Sequence, residues 1–314
     1  MNGPRQGVID AHHHIWRRGD LPWLIGPMAP RIFGPYEAIR RDYPIAEFRS
    51  EAESVGVVAS IYVQTNWRPA DAVREVEWVE STTTDPSWPC AIVGFCDLGH
   101  PDAPLVLDRM RAASPRLRGV RQQLHWHENP QYRFAPWPNV MADPQWRKGL
   151  AAVTDRGLLF ELQVFMGQAE QASALLRDFP STRFVLAHAG MPEDLSPAGF
   201  RAWREGLARL AAHPNLATKL SGLGTFVHRN DPDLIGRIVR EALALFGQDR
   251  CLFGSNFPIE KLWTDYPSLL AAYLAALAGE TAETRDAVLS GNARRLYHLA
   301  DSRSLSASAA QVLP

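Results

Sequence analysis

Near its start the chain reads Val8-Ile-Asp-Ala-His-His-His-Ile-Trp16, so three consecutive histidines end a short apolar run. Neutral imidazoles offer lone pairs to a metal ion or a proton, and they titrate near physiological pH. Strand side chains alternate between two faces. His12 and His14 are therefore expected on one face with Asp10, and His13 on the other. Asp10-x-His12-x-His14 is the first candidate for metal ligation or acid–base chemistry. The plainer readings are a tag remnant or a cluster that only satisfies local hydrogen bonds. The run is too short, and too deep in strand-like sequence, for a tag.

Such residues need a scaffold. Eight short β-branched or apolar runs recur along the chain: GVIDAHH, GVVASIYVQT, CAIVGFCDL, LRGVRQQL, GLLFELQVF, TRFVLAHAG, NLATKLSG and RCLFGSNFP. Between them lie helical periodicities, over 71–83, 144–156, 168–179, 199–213 and 232–246. Strands alternating with helices of this length predict βαβ units and a parallel sheet. Eight units predict an α/β protein of the (β/α)8 TIM barrel type, whose usual size is about 250 residues. The surplus falls in two long βα loops, the first over 17–45 and the fourth over 125–143. An open doubly wound sheet would need a Gly-rich phosphate turn after its first strand. Histidines stand there instead. A single barrel domain over 1–314 is expected, with its core over about 8–300 and a loose tail at 301–314.

Composition narrows the partners. Of 314 residues, 46% are hydrophobic and 21% charged, and the formal net charge is −1. No basic field attracts nucleic acid or an anionic membrane. The three cysteines lack metal spacing, and their odd number argues against a disulfide framework. No apolar leader is evident and no run reaches the ~18 apolar residues of a membrane span. A cytoplasmic protein with a small-molecule substrate is expected, and a homo-oligomer is compatible with the sequence. Ten tryptophans are many for this length. Trp16, Trp23 and Trp126 fall in loops and are candidates for an apolar pocket wall.

In a parallel barrel the active site lies at the C-terminal ends of the strands. The polar residues ending the eight runs should therefore meet. They are His12 and His14, then Gln64, Asp97, Arg121 and Gln123, Gln163, His188, Lys219 and Ser221, and Asn256. Histidines, an arginine, a lysine and several amides at one rim make a candidate hydrolytic site. Isolated buried polar groups would be costly without partners.

The ordered segments DAHHHIW, LRGVRQQL, FVLAHAGMP, KLSGLG, CLFGSNFP and GNARRLYHL resemble the amidohydrolase superfamily over about residues 8–300. Within it, the chain is similar to the amidohydrolase-2 branch, which holds sugar-lactonases and pyrone-dicarboxylate lactonase. The resemblance implies that His12 and His14 are the His-x-His pair of strand one and His188 the histidine of strand six. It places Asn256 where most members carry an aspartate. Gln163 stands where binuclear members have a metal-binding histidine, and Arg121 near their bridging residue. These departures argue against a binuclear centre. One zinc on His12, His14 and His188 is compatible with the set, and so is metal-free operation.

A neutral amide is no general base, but Asn256 can orient water or donate to an oxyanion. Glu161 and Glu128 are alternative proton acceptors. Arg121 and Lys219 are expected to bind substrate carboxylate, and Arg31, with Phe33 and Tyr36, to cap the pocket. Gln64, Gln163, Trp16 and Trp126 complete the expected substrate contacts. His125 and His127 read as surface residues. The expected activity is hydrolysis of a lactone or related carboxylic ester of a small carboxylated or hydroxylated metabolite, with His12, His14, His188 and Asn256 as its catalytic residues. The rivals are a metal-dependent barrel decarboxylase, which Asn256 disfavours, and a non-catalytic binding paralogue that has lost its aspartate.

Overall fold

A computed structural model of the chain describes residues 7–299, so the expected loose tail at 301–314 lies outside the described residues. Eight strands form in the expected places. They are β1 (Val8–His13), β2 (Val57–Val63), β3 (Ala91–Gly94), β4 (Leu117–Gln123), β5 (Leu159–Gln163), β6 (Phe184–Leu186), β7 (Leu216–Leu220) and β8 (Cys251–Phe253). All seven neighbouring pairs are parallel, in the order β1 to β8. With helices between them, the strands make a nearly closed (β/α)8 barrel. The closing contact lies just beyond the strand ends. The Asn256 backbone N–H donates to the His12 carbonyl at 2.7 Å, and His14 N–H donates to the Phe257 carbonyl at 2.7 Å.

Local chemistry starts the helices. Asp143, Ser196, Asp231 and Asp265 each precede a proline-led helix, and each side chain accepts a first-turn backbone N–H. An acceptor at the N-cap satisfies an orphan donor, and proline's fixed φ suits the first helical turn. The core then divides in two. Ile9, Ala11, Ile61, Val63, Val93, Leu159, Val185, Ala217 and Leu252 fill the barrel interior, with Tyr297, which follows the last described helix, packed against them. A larger cluster lies between the strands and the surrounding helices.

Candidate active site

One irregularity in β1 aims the histidines. The pairing steps from Asp10↔Ser60 to His13↔Tyr62, so three residues of β1 oppose two of β2. A bulge of this kind reverses the alternation of faces. Ile9 and Ala11 point into the barrel before it. After it, His12 and His14 point inward and His13 outward, where its ring stacks on Phe48 at 3.9 Å. The expectation that Asp10 shares their face is thereby corrected. Its carboxylate accepts the Tyr266 hydroxyl at 2.9 Å, the Ser255 N–H at 2.9 Å and the His12 N–H at 3.0 Å, and it serves the outer layer.

Three imidazoles then gather at the barrel mouth. The His12 ring lies 5.1 Å from that of His14 and 4.7 Å from that of His188, centre to centre. His14 Nδ1 donates to the Val63 carbonyl at 2.7 Å, which leaves Nε2 as a bare lone pair. His188 Nδ1 lies 3.0 Å from the Ser221 hydroxyl. His12 is fully buried, and neither of its ring nitrogens has a partner. Burial pushes His12 and His188 well below the ordinary histidine range, and the charges of Lys219 and Arg121 add to the effect. His14 is pushed down to about 3 by burial and then by Arg121. All three are therefore neutral near pH 7. Among the described residues, no three His, Cys, Asp or Glu side chains form a ready-made metal cluster.

Backbone strain marks the same place. His188 at φ 55° and Asn256 at φ 58° both occupy the left-handed region. That conformation costs roughly 1–2 kcal/mol for most residues and less for asparagine. Strain of this kind concentrates at functional sites, where the surroundings over-determine it.

Above the histidines opens a cavity of about 200 Å³. His14, Gln64, Arg121, Gln163, His188 and Asn256 line it from the strand ends, with Trp16, Trp23, Arg31 and Phe33 from the first long loop. That loop is tied across the cavity. Gln131 donates to the Arg31 carbonyl at 3.2 Å, and His228 donates to that of Ile32 at 3.2 Å. Arg121 donates to the Gln64 carbonyl at 2.7 Å and to Gln163 Oε1 at 3.3 Å. Burial lowers its pKa to about 10, against the pull of Glu161 and Glu75, so it stays charged. Five buried polar atoms of cavity residues lack a protein partner: Arg31 Nε, Gln64 Nε2, Arg121 Nε, Gln123 Oε1 and His125 Nδ1.

Several expected residues are placed elsewhere. Lys219 does not reach the cavity. Its ammonium is 2.5 Å from Glu161 Oε1, both side chains are fully buried, and the Tyr297 hydroxyl donates to the same oxygen at 2.6 Å. Neither Lys219 nor Glu161 is thus free for substrate. Trp126 does not line the cavity either. The His125 carbonyl accepts from Phe134 and Ala135, which folds the fourth loop back. His125 thereby turns inward and is buried rather than superficial. Trp126 faces Arg133, whose guanidinium sits 4.5 Å from the indole centre. His127 is half-buried outside the cavity wall and Glu128 is exposed. Asp97 is exposed too, because β3 ends at Gly94. Tyr36 is buried behind the capping loop.

The chain resembles known proteins over nearly its whole length. The protein y4mH of Sinorhizobium fredii, described as uncharacterized, is 34% identical, covering 93% of this chain and 98% of its own. An L-fucono-1,5-lactonase of Burkholderia ambifaria is 28% identical, covering 93% and 95%. A crystal structure of an amidohydrolase from Burkholderia multivorans with bound zinc superposes with a TM-score of 0.78 at 26% identity, over 93% of this chain and 99% of that one. The sequence profile of the Amidohydrolase family matches residues 9–299, and the chain belongs to that family.

Proposed function

We propose that the protein hydrolyses a lactone, or a related carboxylic ester, of a small carboxylated or hydroxylated metabolite. One observation carries the reading. His14, His188 and Asn256 share a cavity with Arg121, whose charge meets no carboxylate within ion-pair distance among the described residues, and the His12 ring packs against both histidines. The lactonase name of a relative supports it. Size does as well. A cavity of ~150 Å³ can hold benzene, so about 200 Å³ admits one substituted ring. Arg121 and Gln64 present donors to a carboxylate or hydroxyls, and Trp16 and Trp23 cover the ring's apolar edge.

In the reaction, water adds to the acyl carbon, the ring C–O bond breaks and the departing alkoxide takes the proton. His188 orients the water through the nitrogen that does not face Ser221. Asn256 faces the acyl oxygen, where an amide donor stabilises developing charge. His12, with both buried nitrogens unpartnered, His14 and His188 are the residues that would hold a single divalent ion, although among the described residues they are not gathered into a ready-made ligand set. When bound, zinc would polarise the carbonyl and lower the pKa of water towards 7.

The test is a panel of sugar and dicarboxylate lactones, with acid release followed for wild type and His188→Ala. The variant is expected to fold and to lose about 10³-fold in kcat, within the range for a positioned acid–base group. Unchanged turnover would remove His188 from the mechanism, and a wild type inert on every lactone would overturn the reading. Metal analysis of untagged protein, with and without chelator, reads the ion separately. Loss of metal and activity together assigns the ion to the reaction, whereas turnover by metal-free protein assigns it to the side chains.

A further inference from the structure

The cavity at the barrel mouth carries charge of one sign. Arg31, Arg121 and Arg133 line it, and among its described lining residues there is no aspartate or glutamate. The three arginines differ in what they have left to give. Arg133 is spent on the fourth loop, where Nε donates to the His127 carbonyl at 2.6 Å and Nη2 to the Glu128 carbonyl. Arg121, on the floor, donates to two neutral oxygens. Arg31 is uncommitted. Among the described residues its guanidinium has no hydrogen-bond acceptor and no carboxylate, and its Nε is buried without a partner. A donor withdrawn from water and left unmet is costly.

The backbone beneath Arg31 is fixed. Residues 31–34 form a tight turn in which the Gly34 N–H donates to the Arg31 carbonyl at 3.0 Å. Gln131 of the fourth loop donates to the same carbonyl at 3.2 Å, and His228 donates to the Ile32 carbonyl at 3.2 Å. Gly34 takes the left-handed φ of 73° that this turn needs, and a Cβ there would press on the His228 ring, 2.9 Å from Cε1. The Trp23 ring lies 5.6 Å from the guanidinium carbon, within range for a cation on an aromatic face. Arg31 is thus held on the roof by two loops before any ligand enters, and such preorganisation favours binding.

Roof and floor divide the work. The reacting acyl group belongs on the floor, beside His188 and Asn256, and Arg121 stands at that level at the end of β4. Arg31 faces the part of the substrate farthest from the acyl carbon. We propose that Arg31 is a specificity-determining residue that binds a second anionic group at this far end, so that the lactone opened here is doubly anionic. A carboxylate and a phosphoryl group both match the planar two-pronged guanidinium. A lactone bearing hydroxyls alone would leave both buried charges unmet.

The proposal names a substrate class within the lactone-opening reading and rests on it, but its binding test does not. Benzoate, benzene-1,3-dicarboxylate and 3-phosphonobenzoate are single rings with one or two anionic heads and no ester to open. By calorimetry, wild type should hold a two-headed probe roughly 10- to 150-fold more tightly than benzoate, the worth of one charge-assisted hydrogen bond. The tighter of the two names carboxylate or phosphoryl as the far group. Arg31→Gln should bring the ratio close to unity, and Arg31→Lys, which keeps the charge without the fork, should retain part of it. A ratio that survives in both variants overturns the proposal, as does a wild type that holds benzoate as tightly as either two-headed probe. On lactones, the preference in kcat/KM for two carboxylates over one should fall by the same factor in Arg31→Gln, through KM. Binding that depends on Arg31 while no lactone is opened sustains the proposal and fails only the lactone reading. Lactones opened without regard to a second charge sustain that reading and overturn the proposal.

Discussion

Two layers of buried charge lie inside the barrel, and they are satisfied in opposite ways. In the barrel interior Lys219, Glu161 and Tyr297 are fully buried, and cation and anion meet at 2.5 Å. At the mouth Arg121 is nearly as buried, yet it bonds only to the neutral oxygens of Gln64 and Gln163 and keeps an unpartnered Nε. An unpaired buried charge is expensive. The interior cancels that cost within the protein. The mouth leaves it standing, which suits a place where a ligand supplies the counter-charge. The difference teaches that burial and charge do not by themselves distinguish a structural residue from a binding one. The partner does.

Three substitutions test this contrast. Lys219→Met leaves Glu161 buried without its cation and should cost about 3–5 kcal/mol of stability, read by denaturant unfolding. Adding Glu161→Gln should restore most of the loss, because the glutamine can still accept from Tyr297. Arg121→Met should act the other way, leaving stability within about 1 kcal/mol. It should lower kcat/KM on a carboxylated lactone by roughly 10- to 150-fold, the equivalent of a charge-assisted hydrogen bond of ~1.5–3 kcal/mol. If the two variants exchanged phenotypes, the contrast between layers would be wrong.

A further effect is read through pH. His125 lies between Phe134 and Phe165, with ring centres 5.6 Å from each, and burial pushes its pKa down to about 3. The unfolded chain takes up the proton near 6.5, so this neutral histidine contributes stability in full above about 6.5. The contribution is lost progressively as pH falls towards 3. His125→Phe keeps the aromatic packing and should flatten the acid side of the stability profile. The slope should fall by up to ~1.4 kcal/mol per pH unit in that window. An unchanged slope would mean that His125 already titrates normally.

Local signals were enough for the scaffold. The runs around Ile61, Val93 and Leu252 declare strands by composition, and Asp143-Pro144 or Asp231-Pro232 declare helix starts, because caps and periodicity act within a few residues. The rim positions of His14, Gln64, Arg121, Gln163, His188 and Asn256 follow from the rule that barrel sites lie at strand C-termini. Which way a side chain points was less legible wherever it depended on register. Simple alternation puts Asp10 on one face with His12, and the bulge against β2 separates them. Its place in the fourth loop offers Trp126 to the substrate, and the folded-back loop exchanges it for His125.

The order of strands and helices, and the residues offered to the rim, were thus determined by the sequence alone, since each depends on near neighbours along the chain. Only the tertiary structure decided that Lys219 finds Glu161, 58 residues away, and that Arg31 meets no carboxylate among the described residues. Burial and charge pairing are set by what the rest of the fold brings alongside.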